Sequence, residues 1–161
     1  MKTIVVYYSM GGNTQLAAEK IAERLGAELL RLVPKKAYPD SGARKFIWGG
    51  MHAVMGETPD LEPYDFDPAA WDRVILGFPV WASNMAPPLR SFVKQNDLTG
   101  KPVAAFACQS GNGAEKAFEK LKKLLGREEL AARAVFIDPK DKPSPENDEK
   151  LAAFCAALTQ S

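Results

Sequence analysis

The sequence predicts an α/β fold, a parallel sheet of five strands with helices on both faces. Apolar runs of strand length alternate with stretches of helical period, which is the pattern of strands joined by crossover helices. The first run, Ile4 to Tyr8, is hydrophobic at every position, as a central strand buried on both faces requires. Glycines stand where the first and third of the clearest helical stretches end, at Gly26 and Gly126.

After strand one, Leu16, Ala17, Ile21 and Leu25 recur at helical spacing. Ala27 to Val33 is the second strand, with Arg31 suited to a sheet edge. Val74 to Phe78 is the third, stopped by Pro79. Leu89, Phe92 and Val93 mark a short helix after Pro87 and Pro88, and Pro102 to Cys108 is the fourth strand. Ala114, Phe118, Leu121 and Leu125 line the next helix, and Ala134 to Ile137 is the fifth strand. The last helix opens with Ser144 as N-cap and Pro145 at its first position, and its stripe is Leu151, Phe154, Cys155 and Leu158. Pro34 to Asp72 breaks the alternation; within it one helix is expected over Ala43 to Met55, with Trp48, Met51, His52 and Met55 on one side.

A chain of 161 residues, 46% hydrophobic and 25% charged, is expected to form one domain, 1–161, with one core. Twenty-one Lys and Arg against 20 Asp and Glu leave a net charge of +1, with no basic footprint for nucleic acid. Cys108 and Cys155 fit no metal spacing, and His52 alone cannot complete a Cys/His zinc site or a Ser-His-Asp triad. No apolar stretch approaches the roughly 18 residues of a membrane span, so a cytoplasmic protein without a membrane span is expected.

Ligands of open parallel sheets bind beyond the carboxyl ends of the strands, where strand order reverses. After strand one, Ser9-Met10-Gly11-Gly12-Asn13-Thr14 leads into a helix N-terminus, an arrangement suited to a phosphate held by neutral donors. It lacks the Lys of a Walker A loop and the spacing of a dinucleotide fingerprint. After strand three, Trp81 leaves the sheet among small residues; it either stacks on a flat ring or packs under its own loop. After strand four, Cys108-Gln109-Ser110-Gly111-Asn112-Gly113 permits close backbone approach and hydrogen bonds to a ring edge. A phosphate loop, an aromatic and a polar glycine loop at one sheet end are the parts needed for a phosphorylated planar cofactor.

These residues resemble the flavodoxin family. Tyr7-Tyr8-Ser9-Met10-Gly11-Gly12-Asn13-Thr14 looks like its FMN phosphate loop. Gly77-Phe78-Pro79-Val80-Trp81 with Pro87-Pro88-Leu89-Arg90-Ser91-Phe92 resembles the flavin loop and helix of a flavodoxin-like subgroup, and Gly100-Lys101-Pro102 into Phe106-Ala107-Cys108 its fourth strand. The resemblance implies a doubly wound sandwich of strand order 2-1-3-4-5 and non-covalent FMN. By position it implies that Ser9, Met10, Gly12, Asn13 and Thr14 hold the phosphate. Pro79, Val80, Trp81 and Ala82 would border the isoalloxazine, and Gln109, Ser110, Gly111 and Gly113 its polar edge or opposite face. The direct run from Gly126 to Asp138 is similar to the short-chain type.

Two features depart from the family's electron carriers. The chain is nearly neutral rather than acidic, and the loop after strand four offers no aromatic to the second flavin face, leaving it open or covered from elsewhere, Trp48 being one candidate. Neither flavin loop contains Asp or Glu, so the reduced ring is expected to be less disfavoured than in acidic carriers. The expected function is electron transfer through FMN to a redox partner protein or a small-molecule donor or acceptor, by a monomer or weak homodimer. The alternative is an NAD(P)H-dependent FMN oxidoreductase acting on quinones or similar acceptors. For that, Arg31, Lys35, Lys36, Arg44 and Lys45 offer a basic stretch to a nucleotide phosphate, unless they are only solvated surface. No catalytic side chain is expected, since the flavin carries the chemistry. A phospho-acceptor switch is excluded because Gly77-Phe78-Pro79 and Ser9-Met10 stand where its acids would be. The intact phosphate loop and Trp81 argue against a scaffold that has lost its flavin.

Overall fold

β1 (Thr3–Tyr7) lies between β2 (Glu28–Arg31) and β3 (Arg73–Trp81), and every one of its residues is buried. These elements come from a computed structural model, which describes residues 1–38 and 56–160. The helix expected over Ala43 to Met55 lies outside the described residues, as do Trp48, His52, Arg44 and Lys45.

β3 pairs in turn with β5 (Val103–Gln109), and β5 with β6 (Arg133–Ile137). The five strands are parallel in the order β2-β1-β3-β5-β6, which is the expected 2-1-3-4-5 once parallel strands alone are counted. A sixth strand, β4 (Asn84–Met85), folds back antiparallel on the end of β3, Trp81 opposite Asn84. The turn between them is Ala82-Ser83, both left-handed with φ of 49° and 60°. Two-residue hairpin turns demand this conformation, but Asn-Gly is their usual signature, so Ala-Ser carries no sequence signal.

β3 does not stop at Phe78 as expected; it runs through Pro79 to Trp81. The reason is the side on which the proline's missing N–H falls. The Gly77 carbonyl accepts from Tyr8 N–H, so Gly77 bonds toward β1, and Pro79, two residues on, faces the same way. β1 has ended by then, and the ladder to β5 continues undisturbed to Pro79 opposite Cys108. The edge strand β2 is shorter than its apolar run, although Leu32 still donates to the Tyr7 carbonyl.

Period-two alternation divides the core between the two faces. Val5, Tyr7, Ile75, Phe106 and Cys108 meet Ala17, Ala18 and Ile21 of α1 (Asn13–Leu25) and Leu151, Phe154 and Cys155 of α4 (Pro145–Thr159). On the other face Val6, Leu76, Phe78 and Ala105 meet Leu89 and Phe92 of α2 (Pro87–Gln95) and Ala117, Phe118 and Leu121 of α3 (Ala114–Leu125). The expected termini recur: Gly26 and Gly126 close α1 and α3 in the left-handed conformation, and the Ser144 side chain accepts from Asn147 N–H. Among the described residues no helix is long and apolar enough to cross a membrane.

Within the sheet Gly77 pairs with Phe106. A Cβ on Gly77 would fall 2.2 Å from Phe106 Cζ, so the ring fills the space a side chain would need. Phe106 is fully buried against Phe136 and Phe154 and has nowhere to retreat. Gly77→Ala is therefore expected to cost about 2–3 kcal/mol of stability, read as a lower urea midpoint. An unchanged midpoint would contradict this packing.

Candidate functional site

Four loops meet at the carboxyl ends of the parallel strands and enclose a cleft of about 360 Å³, within the roughly 300–1,000 Å³ usual for small-molecule sites. β1 and β3 part here because their following helices go to opposite faces: α1 to one, α2 to the other. Such a divergence is where a doubly wound sheet opens.

The first wall is the β1–α1 loop. Gly12, with φ of 94°, turns the chain into α1 and accepts the helix's first bond from Leu16 N–H. Among the described residues no side chain caps this helix, so its first-turn N–H groups have no internal acceptor, and Asn13 and Thr14 of that turn line the cleft. Ser9 and Thr14 are both buried and both line the cleft. Ser9 Oγ accepts from Gly12 N–H at 3.2 Å, which leaves its own proton free to donate.

The second wall is Pro79, Val80 and Trp81. Trp81 is only 9% exposed and yet lines the cleft. Tyr8 and Tyr38 hold it edge-on, with ring centroids 5.9 and 5.2 Å away at 87° and 85°. Each such pair contributes about 0.5–1.5 kcal/mol beyond area burial and fixes the indole plane. Burial and the nearby Glu57 push the Tyr38 hydroxyl up to about 12, so these phenols stay neutral.

The third wall is the β5–α3 loop. Gln109 turns its amide oxygen to Ala114 N–H at 3.0 Å and so caps α3, which leaves its amide N–H groups for the cleft. Gly113 has φ of 106°, and a Cβ there would lie 2.9 Å from Ser83 Oγ and 3.0 Å from Ser83 Cα. That contact seats the β3–β4 hairpin on the third loop. Among the described residues no aromatic lines the cleft from this side.

The fourth wall, Asp138 and Asp141 of the β6–α4 loop, escaped the sequence reading. Asp138 is buried and accepts from Ser110 Oγ at 2.7 Å. The Asn13 side chain accepts from Lys140 N–H at 2.8 Å and Asp141 N–H at 3.3 Å, and donates to Asp141 Oδ2 at 3.1 Å. The signal was available, because Asp138 follows the fifth strand as Ser9 follows the first. The two loops expected to flank the ring are free of acids, but the cleft is not.

Of the predicted site residues, Ser9, Met10, Asn13, Thr14, Pro79, Val80, Trp81, Gln109, Ser110 and Gly111 line the cleft. Gly12, Ala82 and Gly113 stand behind it, as helix cap, hairpin turn and hairpin seat. The Asn13 side chain is committed to the fourth loop, so its backbone N–H is the group left for a ligand. Cys108, Gly11 and Asn112 join the lining. Arg31 donates to the Ser9 carbonyl at 3.2 Å and to Gln15 at 3.0 Å, which places one residue of the basic stretch beside the first loop.

A doubly wound sheet whose crevice brings an open helix N-terminus and a fixed indole together has the shape and donors that fit a phosphorylated aromatic ligand. The chain belongs to the flavodoxin family, whose sequence model, described as Flavodoxin, matches residues 2–133. Solved structures share the fold. A flavoprotein from Lactobacillus acidophilus in complex with FMN is 22% identical over 87% of this chain and 96% of its own, with a TM-score of 0.73. The apo-form of the flavoprotein from the same organism is 23% identical over 89% and 97%, with a TM-score of 0.67. Oxidised flavodoxin 1 from Bacillus cereus is 20% identical over 99% and 98%, with a TM-score of 0.62.

Burial pushes the Cys108 thiol up to about 12, against a smaller opposing effect of a hydrogen bond with Thr14. The folded thiol thus stays protonated where an exposed one, near 8.5, begins to ionise. Between those values the unfolded chain holds fewer protons than the folded one, so this contribution to stability is intact below about pH 8.5 and falls as pH rises. At pH 8 iodoacetamide is expected to alkylate Cys108 at least about a hundredfold more slowly in the folded protein than in urea, read by peptide mass spectrometry. Equal rates would contradict its burial.

Proposed function

We propose that this chain is a single-domain, cytoplasmic FMN protein of the flavodoxin type that transfers electrons between a donor and an acceptor. The observation that carries this reading is the uncapped N-terminus of α1 facing Trp81 across one cleft. The donor set fits a phosphate monoester: two buried hydroxyls, Ser9 and Thr14, and the first-turn N–H groups behind Gly12. A fixed indole and a loop of small polar residues fit a flat heteroaromatic ring. Family membership points to FMN, which when bound accepts and returns one or two electrons. The chain's own part is to bind and orient: Ser9 and Thr14 grip the phosphate, Trp81 flanks the ring, and Gln109, Ser110 and Gly111 meet its polar edge.

Asp138 and Asp141 add negative charge beside the bound flavin, which raises the energy of a reduced, anionic ring. Low-potential electron transfer uses that effect. One observation favours the NAD(P)H-dependent oxidoreductase instead: among the described residues the third wall supplies no aromatic to the second ring face, which is what access by a diffusing substrate would need.

Anaerobic addition of NADPH, then NADH, to the FMN-loaded protein separates the two. As a carrier it keeps its visible flavin band with either nucleotide and bleaches with dithionite; rapid bleaching by a nucleotide would overturn the carrier reading in favour of the enzyme. The binding assignment has its own test. Thr14→Ala removes a hydrogen bond to a charged group and is expected to weaken FMN binding by about 1.5–3 kcal/mol, roughly ten- to a hundredfold in Kd. A folded variant with an unchanged Kd would remove Thr14 from the phosphate site.

A further inference from the structure

The β1–α1 loop contains no cationic side chain, yet a phosphate monoester carries a charge of about −1.5 to −2 near neutral pH. Two carboxylates, Asp138 and Asp141, line the same cleft and add to the repulsion. Helix N–H dipoles offset only part of such a charge. A cation is present, supplied by a distant part of the chain.

Lys140 belongs to the β6–α4 loop, and its backbone N–H is fixed on Asn13 Oδ1 at 2.8 Å. Its side chain lies across Gly12: a Cβ there would fall 3.0 Å from both Lys140 Cδ and Nζ. The ammonium ends 3.4 Å from the Gly11 carbonyl, at the N-terminus of α1. Among the described residues that one long contact is the only hydrogen bond of Nζ, so an ammonium with three N–H donors retains capacity for a ligand. Arg31, the other cation beside this loop, is divided between the Ser9 carbonyl and Gln15. Gly12 therefore serves two needs, the left-handed turn and the bed for the lysine stem.

We propose that Lys140 is the countercharge to the ligand phosphate, and that it sets the preference of this site for a phosphorylated flavin over its unphosphorylated form. The inference rests on the FMN reading above.

The test is fluorescence titration of the full chain, its Lys140→Met and its Lys140→Arg variants with FMN and with riboflavin, at low and at high salt. Methionine keeps the stem over Gly12 and removes the charge. Lys140→Met is expected to raise the FMN Kd about three- to tenfold at low salt while riboflavin changes by less than about twofold. Its FMN affinity should depend less on salt than that of the unaltered chain, and Lys140→Arg should recover most of the loss. An unaltered FMN Kd and salt dependence in Lys140→Met would overturn the proposal, as would equal weakening of both flavins, which would make Lys140 a packing residue. Failure of the unaltered chain to bind FMN would instead overturn the FMN reading and this inference with it.

Discussion

Everything at the carboxyl edge depends on β1 and β3 being hydrogen-bonded neighbours whose chains then leave for opposite faces of the sheet. The pairing runs from Thr3 opposite Arg73 to Tyr7 opposite Gly77, after which β1 turns into α1 and β3 continues alone beside β5. The crevice is the space between those departures, walled by the β1–α1 loop and by the β3–β4 hairpin. Pro79 is tolerated in a central strand for the same reason, since it faces the side where β1 has already left.

The walls hold their positions through contacts far apart in sequence. Tyr8 and Tyr38 set the plane of Trp81, and Ser83 rests on Gly113. Asn13 clamps the fourth loop to the first, and Ser110 is tied to Asp138. A ligand bridging the first, second and third loops would meet groups whose orientation is already fixed, which lowers the entropy cost of binding. The polar wall is equally constrained: the hydroxyl proton of Ser110 is spent on Asp138, so its oxygen offers lone pairs to the cleft.

Both glycine-terminated helices and the Ser144-Pro145 helix start were legible because they follow from apolar period and from residues with strong backbone preferences, whereas the strand order came only with the resemblance to the flavodoxin family. Three of the four loops were legible because strand ends are where a parallel sheet binds. The hairpin was not, since Ala82 and Ser83 are not residues that favour positive φ. The fourth loop's place was legible in principle, since Asp138 follows the fifth strand, but its clamp on the first loop was not: Asn13 meets Lys140 and Asp141 across more than a hundred residues, and no local pattern encodes such a contact. Pro79 misled because a proline's effect in a strand depends on which neighbour its nitrogen faces, and that is a property of the sheet.

The central claim, that FMN occupies this crevice with its phosphate at the start of α1, is tested most directly by amide chemical shifts during an FMN titration. The account predicts that the largest changes fall on the backbone N–H groups from Gly11 to Thr14, on Val80 and Trp81, and on Gln109 to Gly113. Changes concentrated elsewhere on the molecule, or none at saturating FMN, would contradict it.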